Sequence, residues 1–219
     1  MNTHYDAEVD TLNNPFPGVE KVKRNFSQAY QDLFALTMHQ GKRSGKYLEV
    51  GANHPVEFNN TFLLEDKFMW KGISVEIDKS MVDLFNTVRH NKCEYADGTV
   101  FDFKKKLDGR RWKDKTIDYL SLDCEPAMTT YKILTRIPFE EYKVSVITYE
   151  TDVYKDGPQA RELSREFLIN KGFQLVASNV CNGGNPYEDW YVDPTVIPSE
   201  LWMPFVSEGA EARSLFVCQ

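Results

Sequence analysis

Carboxylates recur in this chain where short apolar runs stop. Glu49 comes late in Tyr47–Val50, Glu76 lies at the end of Ile73–Ile77, Asp97 follows Glu94–Ala96, and Asp123 follows Ile117–Leu122. After the first run, Gly51-Ala52-Asn53 bends the chain, and a glycine there lets backbone approach a ligand that a side chain would hold off. A carboxylate ending a second strand suits a ribose, because both sugar hydroxyls can donate to it. In dinucleotide folds that acid falls about 20 residues past the glycine turn, and Glu76 meets this roughly. Strand ends are polar in most α/β proteins, so a single acid would say little. Four in succession, with a glycine turn at the first, point to a nucleoside-type cofactor. Its expected contacts are Glu49, Gly51, Ala52, Asn53, Glu76, Ile77, Asp97 and Asp123.

The same loop narrows the cofactor. A pyrophosphate is usually seated by G-x-G-x-x-G at a helix N-terminus, whereas no glycine follows Gly51 until Gly72. Pro55 has no N–H to offer a phosphate, and its φ is held negative. A phosphate-free cofactor fits better, and S-adenosylmethionine is one whose sulfonium and amino group would be drawn to acids. For the reaction, His54 is a candidate proton acceptor because imidazole titrates near neutral pH; packing over the cofactor is its other reading. Glu150 and Asp152 follow the fifth apolar run, Val144–Tyr149, and are candidates to orient an acceptor or take its proton. Asp123, Glu125 and Glu150 carry the oxygen ligands that Mg²⁺ prefers and zinc does not. Carboxylates around a sulfonium gather for electrostatic reasons without a metal. The expectation is therefore a metal-free transfer with His54 or Glu150 as base, and the metal ligands stay unknown.

The elements that must hold these groups alternate along the chain. Helical periodicity runs through Tyr30, Leu33, Phe34, Thr37 and Met38, with Ser27 as its expected N-cap and Gly41 near its end. Further helical patterns carry Met81, Phe85 and Val88, then Phe103 and Leu107, then Met128 to Leu134, then Leu163 and Phe167. Apolar strands separated by helices predict a mainly parallel sheet covered on both faces. "FQLVASN" and "EDWYV", joined by the Gly-rich "VCNGGNPY" with no helix between, should pair antiparallel. The expected fold is α/β, doubly wound, with a mostly parallel seven-stranded sheet and an antiparallel C-terminal pair. Its ligand should lie beyond the carboxyl ends of the first strands. Residues 1–25, polar and carrying "NNPFPG", read as an arm over a single domain spanning 26–219.

Composition sets the outer limits. The 219 residues carry 26 Lys+Arg against 33 Asp+Glu, a net charge of −7, which argues weakly against general nucleic-acid binding. The one basic run, "FKKKLDGRRWK", reads as a solvated helix face. No apolar run approaches bilayer length, and the first ten residues lack the features of a signal peptide. Four scattered cysteines, without a CxxC pair, read as free thiols in a reducing cytoplasm.

These blocks, in this order, resemble the FkbM-type branch of the class I S-adenosylmethionine-dependent methyltransferases. The resemblance is carried by "FSQAYQDLFAL", "YLEVGAN" with "NNTFLLE", "WKGISVEID", "IDYLSLDCE", "VSVITYETD" and "YEDWYVDP", and covers about Phe26 to Pro194. It implies methyl transfer to a hydroxyl of a small molecule or sugar, with neither nucleic acid nor membrane as partner. Two positions depart from the family pattern: His54-Pro55 stands where Asp-Gly is usual, and Glu125-Pro126 where Glu-Gly is usual. Proline suits a first helical position, so Pro126 is expected to start a helix, while Pro55 re-routes the loop. The departures keep a second reading open, a non-catalytic module that retains the cofactor fold. A nucleotide-dependent oxidoreductase is a third, disfavoured by the missing phosphate loop.

Overall fold

A computed structural model of the chain describes residues 4–110 and 112–218. Eight strands form one sheet: β1 (Lys46–Val50), β2 (Lys71–Glu76), β3 (Cys93–Tyr95), β4 (Thr116–Leu122), β5 (Lys143–Glu150), β6 (Gln174–Asn182), β7 (Asn185–Val192) and β8 (Ser207–Glu208). Their order is β3-β2-β1-β4-β5-β7-β6-β8. The first five pair in parallel, and β7 runs antiparallel to both β5 and β6. The expected seven strands are all present, the first five within two residues and β6 and β7 each three residues longer at their shared turn. The eighth, β8, is two residues beside β6, too short and too polar to leave a period-2 signal.

The sheet is buried on both faces because its strands alternate between two cores. Tyr47, Tyr119, Val146 and Trp190 point to one side, where they join α1 (Gln31–Met38), α2 (Phe62–Phe68) and the N-terminal residues Tyr5, Leu12, Phe16 and Val22. Leu48, Val50, Leu120, Leu122 and Ile147 point to the other, against α4 (Phe103–Gly109), α5 (Ala127–Leu134) and α7 (Gln159–Asn170). α3 (Lys79–Val88) bridges β2 and β3, and α6 (Val153–Asp156) follows β5. No helix among the described residues is long and apolar enough to cross a membrane.

One local expectation is corrected. The N-cap of α1 is Tyr30 and not Ser27, although Ser27 Oγ still accepts the Asp32 amide at 3.3 Å; the Ser27 hydroxyl donates to Asp32 Oδ1 at 2.6 Å, and the amides of Phe26 and Ser27 donate to Asp32 Oδ2. Asp32 thus ties up the preceding loop, and the helix starts only at Gln31, with every one of its residues buried. Pro126 caps the start of α5 as expected, standing at its N-cap after a cis peptide bond from Glu125.

The segment between β1 and α2 is organised by a charge from the end of α3. Arg89, 4% exposed, spends all five of its N–H donors on it and its neighbours. Nε donates to Glu65, one terminal nitrogen to Pro55 O and Asn59 Oδ1, the other to the Tyr47 hydroxyl and Thr61 Oγ1. Asn59 in turn donates to Ala52 O. The re-routing at Pro55 has a concrete form: its carbonyl faces the guanidinium. Replacing Arg89 with Met should cost roughly 3–5 kcal/mol, because Glu65 is left buried and unpaired. Urea denaturation at neutral pH measures this, and a loss below about 1 kcal/mol would show that the guanidinium does not hold the loop.

Candidate functional site

The strand order reverses between β1 and β4, and there the carboxyl ends of β1, β2, β4 and β5 surround a cavity of about 460 Å³. Ligand pockets commonly fall in this range. Seven of the sequence-predicted residues line it: Gly51, Asn53, Glu76, Ile77, Asp97, Asp123 and Glu150. Phe58, Gln28 and Thr129 line it as well, and nothing in their local sequence marked them.

Gly51 is required, though for a different reason than expected. With φ +85°, a Cβ on it would stand 1.7 Å from the Asp123 carbonyl oxygen, so the neighbouring strand's backbone excludes a side chain. Glu76 is also more engaged than expected. Its Oε2 accepts the Asn53 amide at 2.8 Å, and its Oε1 accepts the amides of Ile77 and Asp78 at 2.7 and 2.8 Å. A carboxylate has about four acceptor sites, so room remains for one ribose hydroxyl and not two. The three amides nearest the strand ends, which a phosphate would need, are already taken. Ile77 is 66% exposed and offers an apolar side chain at the rim. Asp97 accepts the Thr99 amide and hydroxyl, which hold its carboxyl below the ordinary aspartate value.

Three expected residues at the β1 end are not brought to the cavity wall. Glu49 lies beneath it, fully buried, with Oε2 accepting from Ser74 and Thr61. Ala52 is buried with its carbonyl bound to Asn59. His54 Nδ1 accepts the amides of Val56 and Glu57, so the ring closes a turn. His54 does not line the cavity, so the expectation of a base there gains no support from its placement.

Acids gather at the β5 end of the cavity. Glu125, Glu150 and Asp152 bring carboxyl oxygens within 4.8 Å of one another, and Asp123 lies near enough for its charge to act on Glu150. Asp152 itself is buried just behind the wall, its amide donating to Tyr187 O. Burial, then the Asp123 charge, pushes the Glu150 carboxyl up to about 11, and burial raises Asp123 and Asp152 too. Glu188 and Asp189, on β7, are engaged in structural contacts. Glu188 accepts from Gln31 and Trp190, and Asp189 pairs with Arg165 at 2.7 Å. The basic run lies on and after α4, where Lys104 pairs with Asp108 and Glu141, and Lys106 with Glu94; Arg111 is outside the described residues.

No family model and no curated protein matches the sequence. Solved structures do match. The Dnmt2 methyltransferase of S. pombe is 14% identical with a TM-score of 0.49, covering 67% of this chain, which spans 48% of that one. A TehB-like SAM-dependent methyltransferase from Corynebacterium glutamicum is 10% identical with a TM-score of 0.49, covering 80% of this chain and 91% of its own. A candidate rRNA methylase from Clostridium thermocellum is 12% identical with a TM-score of 0.51, covering 75% and 94%. Together with the strand order, that likeness places the chain in the methyltransferase fold, a mixed α/β Rossmann-like sheet.

Glu49 yields a pH test. Burial raises its carboxyl from 4.5 to about 7, against the opposing pull of Arg89. Between those values the folded chain holds a proton that the unfolded chain has lost, so this contribution to stability is full below about 4.5 and gone above about 7. Glu49→Gln keeps an acceptor for Ser74 and Thr61 while removing the titration. The variant should lose less stability than the wild type from pH 5 to pH 8, by on the order of 3 kcal/mol, as a rise from 4.5 to about 7 implies. Parallel curves in urea titrations at the two pH values would refute it.

Proposed function

We propose that this chain transfers a methyl group from S-adenosylmethionine to a hydroxyl of a small molecule or sugar, as its resemblance to the FkbM-type methyltransferases implies. The observation that carries the reading is the wall of the switch-point cavity. Glu76 consumes the amides of Asn53, Ile77 and Asp78, and the carboxylates of Asp97, Asp123, Glu125 and Glu150 face the space. Such a wall suits a sugar and a cation, and it opposes a pyrophosphate. That sets aside the oxidoreductase reading.

The residues present fit the cofactor. Glu76 retains an acceptor site for a ribose hydroxyl, Ile77 offers apolar surface for the base, and Asp123 and Glu125 favour an ammonium. Bound, this cofactor supplies an electrophilic methyl group on a cationic sulfur. The chain's own contribution is positioning for in-line attack, with the acceptor hydroxyl oriented by Glu150 and Asp152 and its proton taken up within that group of carboxylates. The fold is shared with a protein described as an rRNA methylase, so the fold is no argument against a nucleic-acid acceptor. The net charge of −7 is what favours a small acceptor.

S-adenosylhomocysteine should raise the melting temperature and NAD should not. At a hundredfold excess over its dissociation constant the stabilisation is about 2.7 kcal/mol, or roughly 5–10 °C for a chain of this size. Equal shifts with both ligands, or none with either, would count against the reading. Glu76→Ala should weaken S-adenosylhomocysteine by roughly 1.5–3 kcal/mol in calorimetry, and unchanged affinity would show that Glu76 does not hold the ribose. Formation of S-adenosylhomocysteine with any acceptor separates an enzyme from a non-catalytic module.

A further inference from the structure

We propose that Glu125, Glu150 and Asp152 form a binding site for one hard divalent cation. The inference deepens the methyl-transfer reading and rests on it for the ion's role, while the site itself stands on its own geometry. Glu150 is the last residue of β5 and is held by its antiparallel pairing with Glu188. Asp152 follows after a turn whose amides, those of Thr151 and Asp152, both donate to Tyr187 O. Glu125 comes from the segment between β4 and α5. Their oxygens lie within 4.8 Å of one another. Oxygens sharing a Ca²⁺ ion stand up to about 5 Å apart, and those sharing Mg²⁺ or Mn²⁺ up to about 4.2 Å. In an octahedron only one pair of the three can stand that far apart and the others stand about 3 Å apart, so ligation of the smaller ions draws the oxygens inward. An all-oxygen set favours these ions over zinc.

A second observation points to a missing positive charge. Glu150 and Asp152 are 8% and 2% exposed, yet no N–H or hydroxyl donor reaches Glu150 Oε2 or Asp152 Oδ2. Buried carboxylate oxygens ordinarily have donors. Asp152 occupies the N-cap of α6, where an aspartate usually accepts from the first helical turn, and its side chain makes no capping bond. The nearest cation is the exposed Lys155. Its ammonium lies 2.9 Å from Glu125 and 3.8 Å from Asp152 Oδ2, at the edge of the group. Lys155 carries that ammonium on the flexible end of a long side chain, and an entering ion displaces it outward. An ion in this position neutralises the carboxylates and has coordination places left for an acceptor oxygen, whose proton it would make easier to lose.

The experiment is Mn²⁺ binding by the full chain, followed by loss of the free-ion EPR signal, with Mg²⁺ as competitor and S-adenosylhomocysteine binding measured separately in EDTA. One Mn²⁺ per chain is expected, with a dissociation constant below about 1 mM, displaced by Mg²⁺. Glu125→Gln alters an exposed side chain and leaves the fold intact; it should weaken Mn²⁺ by about tenfold or more. Lys155→Ala removes the competing ammonium and should tighten binding. Absence of Mn²⁺ binding in both the wild type and Lys155→Ala overturns the proposal: the carboxyl groups then share protons, and Lys155 suffices. Binding unchanged in Glu125→Gln overturns it too, since the ion then sits elsewhere. A chain that takes S-adenosylhomocysteine in EDTA but no Mn²⁺ sinks the ion site alone. One that takes Mn²⁺ at these residues but no S-adenosylhomocysteine supports the site and sinks the methyl-transfer reading.

Discussion

The cavity exists in its present shape because one guanidinium is buried and completely satisfied. Taking a charge out of water costs several kcal/mol even after relaxation, and the cost is recovered only with full pairing. Arg89 meets that condition by drawing on β1 through Tyr47, on the loop through Pro55, Asn59 and Thr61, and on α2 through Glu65. Glu65 is satisfied in turn by the amides of His90 and Asn91 and by the Asn91 side chain. These constraints hold the loop in backbone conformations it would not keep alone: Asn53 and Phe58 both have positive φ. Such residues cost of order 1–3 kcal/mol each and persist where their surroundings over-determine them.

From that anchored loop the wall of the cavity follows. Asn53, turned to φ 46°, presents its amide to Glu76 across the gap between β1 and β2. Gly51 lies tight against the Asp123 carbonyl on the opposite flank, closing β1 onto β4. The two contacts set the width of the switch point, one between a loop amide and the Glu76 carboxylate and one between backbone and backbone. This explains why the loop tolerates His54 and Pro55 at positions where a phosphate-binding loop could not. The amides of Gly51 and Ala52 go to Val75 O, that of Asn53 to Glu76, those of Val56 and Glu57 to His54 Nδ1 and that of Asn59 to Phe26 O, so the loop does not gather its N–H groups into an anion cradle.

The far side of the cavity carries the opposite imbalance. Asp123, Glu125, Glu150 and Asp152 converge with Lys155 as the cation among them, and Glu188, buried behind, is itself raised to about 8. Burial of acids in such density disfavours their charged forms unless positive charge is brought in. A site of this kind is poised for a cationic ligand, and a sulfonium, an ammonium and a divalent ion all satisfy the same electrostatic demand.

Much of this was legible in the residues. The strands were, because short apolar runs of three to seven residues bounded by polar breaks survive any packing detail; so was the row of acids at their ends, which places Glu76, Asp97, Asp123 and Glu150 around one cavity. Three things were not. The start of α1 was misread because Asp32, reaching back to the amides of residues 26 and 27, outcompetes Ser27 for the loop. Imidazole chemistry at His54 is visible in a sequence, and its place off the cavity wall is not. Arg89 left no local signal at all, since its partners lie as far as 42 residues away along the chain. The sequence by itself determined the order of elements and the chemistry available at the strand ends, because periodicity and residue type are local. Only the tertiary structure decided which of those acids face the cavity, which are consumed by backbone amides, and where the buried charge sits, because desolvation and hydrogen-bond satisfaction depend on neighbours the chain brings together only on folding.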